Sequence, residues 1–132
     1  MKELRYPTVE RIVEYNILTL TLIKVKRGDK AKVLSLKKLG DCIEICKQKE
    51  GDMYDKAAVL LIELVRKHPF ASGNRRTAVI VTKAFLMENN QEFGPKDEPS
   101  QARTLLGIRE GYYSEQEVRE WIKNGNIREF KR

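Results

Sequence analysis

A chain of 132 residues with 41% hydrophobic and 34% charged side chains can bury one real core beneath a heavily charged surface. No run of 18 apolar residues occurs, which excludes a transmembrane helix, and residues 1–6 lack the apolar core of a secretory signal, so a cytoplasmic protein is expected. The net charge of +7 is unevenly placed: between Lys24 and Lys38 stand Lys26, Arg27, Lys30, Lys32 and Lys37 as well, against Asp29 alone. Such a strip attracts RNA, a ribonucleoprotein or an acidic partner, or is a solvated loop between two helices. No aromatic residue is interleaved there to stack on bases, which weakens the nucleic-acid reading.

Thr8 is placed to cap a first helix, and Val9, Ile12, Val13, Ile17, Leu20 and Ile23 recur at helical spacing, predicting an amphipathic helix from 8 to about 26 with these side chains inward. Arg27-Gly28-Asp29 ends it. Residues 30–34 read either as a short extended piece or as the lead-in to the next helix. Ser35 then caps a helix to about residue 49, with Leu36, Leu39, Ile43 and Cys46 as its inward stripe. Cys42 and Cys46 share a face of that helix and read as buried free thiols, because helix geometry disfavours a disulfide at this spacing and two thiols alone make a poor zinc site.

Glu50-Gly51 breaks the chain and Asp52 caps a third helix. Its centre, residues 57–62, is apolar nearly all round, the pattern of a helix central to its domain. Pro69 stops it just past His68. Asn74 is the expected N-cap of the following helix, a second core element ending near Asn89-Asn90. A loop over 91–99, a helix over 100–109 and a turn at Glu110-Gly111 come next. Ser114 caps the last helix with Glu117 at the capping-box position and Val118, Trp121 and Ile122 inward, until Asn124-Gly125 stops it. The basic end, 128–132, is expected to fray. With no internal repeat, the expectation is an all-α, compact single-domain bundle of about six helices over 1–132, its core over about 8–124.

The stretch from His68 to Ala78 joins the two core helices and holds the only histidine. Ser72, Gly73 and Asn74 lack bulk, so backbone N–H groups are free to point into one cavity, and the next helix adds its own N-terminal amides and the positive end of its dipole. A phosphate group suits such a place. Arg75 and Arg76 supply further cationic, two-pronged donors, and a histidine such as His68 is suited to act as a general base. The bland alternative is a structural histidine at a helix end followed by ordinary turn residues. Two cations where a helix prefers carboxylates, next to the only histidine, lift the phosphate reading, while on chemistry alone the structural one stays ahead.

At these residues the sequence resembles the Fic/Doc (Fido) family, whose motif runs His-x-Phe-x-Asp/Glu-Gly/Ala-Asn-Gly/Lys-Arg, continued in the Doc (death-on-curing) branch by Thr-Ala. His68, Phe70, Gly73, Asn74 and Arg76 fill motif positions at the right spacing, and Thr77-Ala78 extends the likeness toward Doc. The resemblance implies a Fido-like helical fold with the motif loop between two central helices. It also implies an enzyme that uses ATP as co-substrate, with Mg²⁺, to transfer AMP or, in the Doc branch, the terminal phosphate onto a hydroxyl of a target protein. His68 is then the base that takes the target's proton and Phe70 the loop anchor. Gly73, Asn74 and the neighbouring amides then form the anion hole and Arg76 contacts the ATP phosphates, with Ser72 and Arg75 counted in the same phosphate-binding set. In Doc the target is a threonine of elongation factor Tu, so a translation factor as target is implied, and with it the toxin role in a toxin–antitoxin pair.

Two positions depart from the motif. Ser72 stands where the family carries the acid that holds Mg²⁺, and a hydroxyl is a far poorer ligand for a hard cation. Arg75 replaces Gly or Lys. Three explanations stay open: a carboxylate from elsewhere (Glu63, Asp97 or Glu98) holds the metal, Arg75 takes over charge neutralisation, or catalysis is weakened and the chain binds a nucleotide or a partner without turnover. The sequence also lacks the Ser/Thr-x-x-x-Glu-Gly/Asn segment of the family's built-in inhibitory helix, so an inhibitor would be a separate antitoxin chain.

Overall fold

The computed structural model describes residues 3–22 and 31–131, and among these six helices form the protein: α1 (Val9–Leu22), α2 (Leu36–Gln48), α3 (Met53–Lys67), α4 (Asn74–Glu88), α5 (Pro99–Arg109) and α6 (Glu115–Asn124). The all-α expectation holds. None of these helices is long and apolar enough to cross a membrane.

α3 is the central element, packing against α2, α4, α5 and α6, while α1 lies across α4 and α2. The reason is its run of small and branched apolar residues: Ala57, Ala58, Leu60, Leu61, Leu64 and Val65 are all buried, so neighbours approach from several sides. One continuous cluster of buried side chains joins all six helices, from Ile12 on α1 to Trp121 and Ile122 on α6. The helix starts follow the sequence signals. The Thr8 hydroxyl accepts from the Arg11 amide, Ser35 from the Lys38 amide, and Asp52 and Ser114 each close a full capping box. The far end of α2 is closed by a side chain from the core: buried Lys56 donates to the carbonyls of Lys47 and Lys49 at 3.0 and 2.8 Å.

Four expectations need correction. On α1 the buried positions are Ile12, Asn16 and Thr19, whereas Ile17 is 48% exposed and Leu20 half-buried, so the inward stripe carries polar groups. Ile23 and the predicted end of that helix near residue 26 lie outside the described residues, as do Lys24, Lys26, Arg27 and Lys30 of the basic strip. On α2, Leu36 is exposed, and Cys42 and Cys46 are buried free thiols beside Leu39 and Ile43. Burial pushes both thiols up to about 12.

The third correction concerns the C-terminal segment, which does not fray over 128–131. Phe130 is buried, Arg103 Nε donates to its carbonyl at 2.9 Å, the Arg128 carbonyl accepts from Tyr113 Oη at 2.8 Å, and the Arg128 guanidinium stacks 4.1 Å over the Tyr112 ring. The fourth concerns Asn74 and belongs to the loop described next.

Candidate active site

Between α3 and α4 the chain turns through residues 68–73. His68, the residue after α3, adopts the left-handed conformation (φ 53°, ψ 58°), which ends the helix before Pro69 makes continuation impossible. An exposed histidine held in a conformation that costs a side-chain-bearing residue about 1 kcal/mol or more is a residue fixed in place by its surroundings. Those surroundings are two. Phe70 is buried in the core cluster, 1% exposed. Alongside it runs the extended segment around Val33, which resolves the ambiguity at 30–34 for its described part: Val33 and Phe70 form an antiparallel bridge, Leu34 N–H donates to the Pro69 carbonyl at 2.8 Å, and Ala71 N–H to the Lys32 carbonyl at 2.9 Å.

Asn74 does not cap α4. The cap position falls to Gly73, left-handed at φ 75°, and no side chain caps the helix there. The Asn74 amide reaches backward instead: Oδ1 accepts from Phe70 N–H at 2.9 Å and Nδ2 donates to the Phe70 carbonyl at 2.8 Å. This buried clip satisfies both polar groups of a residue whose ring is deep in the core. The sequence pattern pointed to a cap because Asn is a preferred cap residue; the backbone groups of Phe70 compete for the same amide and win.

A second buried amide supports the loop from α1. Asn16 Nδ2 donates to the Ser72 carbonyl at 2.9 Å and to Thr77 Oγ1 at 3.1 Å. A Cβ on Gly73 would stand 3.2 Å from Leu20 Cδ2 and 3.3 Å from Asn16 Nδ2, so the close approach of α1 favours glycine there in addition to the positive φ. Sequence reasoning missed Asn16. The signal was present: an Asn at i+4 from Ile12, on the face that the first helix turns inward.

Above this supported loop lies a cavity of about 850 Å³, within the usual range for small-molecule sites. His68, Ser72, Gly73, Asn74, Arg75 and Arg76 all line it. The facing wall is α5 with the turn before it, which contributes Asp97, Glu98, Arg103 and Arg109. Glu63 is not there; it lies 3.8 Å from Lys67 on α3. Because α4 starts without a side-chain cap, its first amides and the positive end of its dipole remain for a ligand, and Arg75 and Arg76 are exposed beside them. The arrangement suits a phosphorylated ligand with a base at one edge of its binding place.

The residues do not make a ready-built Mg²⁺ site. Ser72 offers a hydroxyl where a carboxylate would be needed, and among the described residues no three His, Cys, Asp or Glu side chains come together to hold a metal ion. Asp97 and Glu98 are the carboxylates that line the same cavity. Of the basic strip, Lys32, Lys37 and Lys38 are exposed, with Lys37 paired to Asp41 at 2.9 Å.

Among curated proteins none matches the chain. Residues 27–86, a stretch that holds α2, α3, the loop from His68 to Gly73 and most of α4, match the model of the Fic/DOC family.

Proposed function

We propose that the protein is a Fic/Doc-type transferase that uses ATP to modify a hydroxyl of a target protein, in the manner of the Doc branch, and that it acts in the cytoplasm as the toxin of a toxin–antitoxin pair. One observation carries the reading: the only histidine, the uncapped start of α4 and two exposed arginines line one cavity of nucleotide size. In the reaction, His68 takes the proton of the target hydroxyl as its oxygen attacks a phosphorus of ATP. The new P–O bond forms as the bond to the leaving group breaks, releasing ADP if the γ-phosphorus is attacked or pyrophosphate if the α-phosphorus is. The α4 amides, Arg75 and Arg76 hold the phosphoryl oxygens where negative charge gathers. Asn74 and Asn16 keep the loop in shape from behind.

The test is transfer of label from ATP to proteins of a cell lysate, comparing α-labelled with γ-labelled nucleotide. Label from the γ position alone means phosphorylation; label from the α position means AMP transfer. His68→Ala should reduce either by about 100-fold or more. No transfer from either label, or transfer indifferent to His68→Ala, would sink the enzymatic reading.

Ser72 favours a second reading, a family relative that binds nucleotide without turnover. Ser72→Asp discriminates: a large gain in transfer means that the native site lacks a metal ligand, and no gain over an already active protein means that it does not need one.

A further inference from the structure

Among the described arginines some pair with a carboxylate and some do not; Arg5 and Arg66, which do not line the large cavity, belong to the second kind. Arg11, Arg103, Arg119 and Arg128 each pair with a carboxylate. Arg75, Arg76 and Arg109 have no ion pair and no side-chain hydrogen bond among the described residues, and all three line the same cavity. Three guanidinium groups without a carboxylate partner and an uncapped helix N-terminus line one cavity, a combination that favours an anion. Arg75 and Arg76 belong to the motif loop; Arg109 comes from the other wall and has no role in the reading above.

The α5 wall carries opposite charges at its two ends, with apolar residues between them. Glu98, Gln101, Leu105 and Arg109 follow at helical spacing on the face toward the cavity, with the acid at the N-terminal cap position and the cation in the last turn, about 16 Å apart along the axis. The C-terminal end of α5 is the end beside the motif loop. A Cβ on Gly111 would stand 3.7 Å from the Arg66 guanidinium, two residues before His68. Asp97 precedes Glu98 at the other end, where the two carboxylates oppose any phosphate and offer acceptors to hydroxyl or amino groups.

We infer that Arg109 is a polyphosphate-binding residue acting opposite Arg75 and Arg76, and that Asp97 and Glu98 orient a nucleotide by keeping its phosphates at the Arg109 end and its nucleoside at theirs. The inference deepens the proposed transferase and rests on that reading for the identity of the nucleotide, though not for the phosphate chemistry.

Inorganic tripolyphosphate and ATP, each titrated calorimetrically into the full chain at low salt, separate the two. Arg109→Gln should weaken both by about ten-fold or more, the scale of one lost charge-assisted hydrogen bond. Asp97→Asn with Glu98→Gln should tighten tripolyphosphate and leave ATP no tighter, because ATP gains at its phosphates while its nucleoside loses acceptors. Arg109 also stands where a cation suits the helix dipole, so a purely structural role predicts a lower melting temperature with unchanged affinity, and that result overturns the inference. Wild-type protein that binds neither ligand overturns it as well. If His68-dependent transfer is found while Arg109→Gln binds like wild type, the transferase stands and this inference falls. If Arg109→Gln loses tripolyphosphate binding but no transfer occurs, the inference stands and the transferase falls. Unchanged tripolyphosphate affinity in the double variant would remove the orienting role of the two acids.

Discussion

At the start of α6 the Ser114 hydroxyl accepts from the Glu117 amide, the Glu117 carboxylate accepts from the Ser114 amide, and Glu115 adds a second acid to the first turn. α3 begins likewise, with Asp52 and Asp55. At the start of α4 no side chain caps the amides, Gly73 is left-handed, and arginines occupy the first turn. A cap contributes about 0.5–2 kcal/mol and a well-placed charge about 0.3–1 kcal/mol, so α4 gives up what the other two starts collect. The closed starts of α3 and α6 lie away from the cavity's lining; the uncapped start of α4 lines it, and so does that of α5, where Pro99 stands in the first turn. α4 is held instead by bonds that reach outside its own first turn: the Asn74 clip on Phe70, the Asn16 bonds to Ser72 and Thr77, and the extended segment paired with the loop.

The largest test of this division of labour is Asn74→Ala. It leaves the N–H and carbonyl of buried Phe70 without their partner and should cost about 2–6 kcal/mol, two buried groups at the usual penalty. The loss should appear as a lower urea midpoint, together with faster amide exchange at Phe70 and Ala71. A cost below about 0.5 kcal/mol, the scale of a surface change, would mean that the loop is held by something else.

Ser114→Ala breaks the closed type of start and should cost about 1 kcal/mol. Nucleotide affinity should not change, because α6 contributes nothing to the large cavity. Lost nucleotide binding at this variant would show that the two kinds of helix start are not separate in function.

The difference between the two starts explains how much could be read from the sequence. Ser114 with Glu117 and Asp52 followed by an acid three residues on are local patterns whose hydrogen bonds close within one turn, so both helix starts were legible. The all-apolar centre of α3 announced its central place for the same reason. Asn74 was misread because its partner is not in its own helix, and Asn16 was missed because its partners lie 56 and 61 residues away. Leu36 and Ile17 were assigned inward by spacing alone, but what covers a helix face depends on neighbours that periodicity cannot supply. Likewise nothing local ties Asp97 or Arg109 to His68; only the packing of α5 brings them to one cavity.

The closed start at α6 should also show itself in acid. The Arg128 guanidinium, then the Ser114 amide, hold the Glu117 carboxyl down to about 2 from an ordinary value of 4.5. Between those values the unfolded chain binds the extra proton, so this contribution to stability is complete above about pH 4.5 and is lost as the pH falls toward 2. Arg128→Gln should flatten that limb of the stability profile, measured by urea midpoints between pH 2 and 5. An unchanged limb would mean that other carboxylates dominate acid unfolding.

The smallest change in stability is expected from the variant that makes α4 resemble the other two helices. Arg75 is exposed in the first turn, so Arg75→Glu removes an unfavourable charge and adds a favourable one, stabilising the protein by about 0.3–1 kcal/mol. The same change places a carboxylate in the cavity beside the open amides and should weaken ATP binding by about ten-fold or more. Thermal melting and calorimetric titration of one preparation read both effects. Opposite signs mean that the cations at this helix start are retained for an anion at a cost to the fold. If melting temperature and affinity move together, or if affinity is unchanged, the open start is a quirk of local packing and the comparison between α4 and α6 loses its functional meaning.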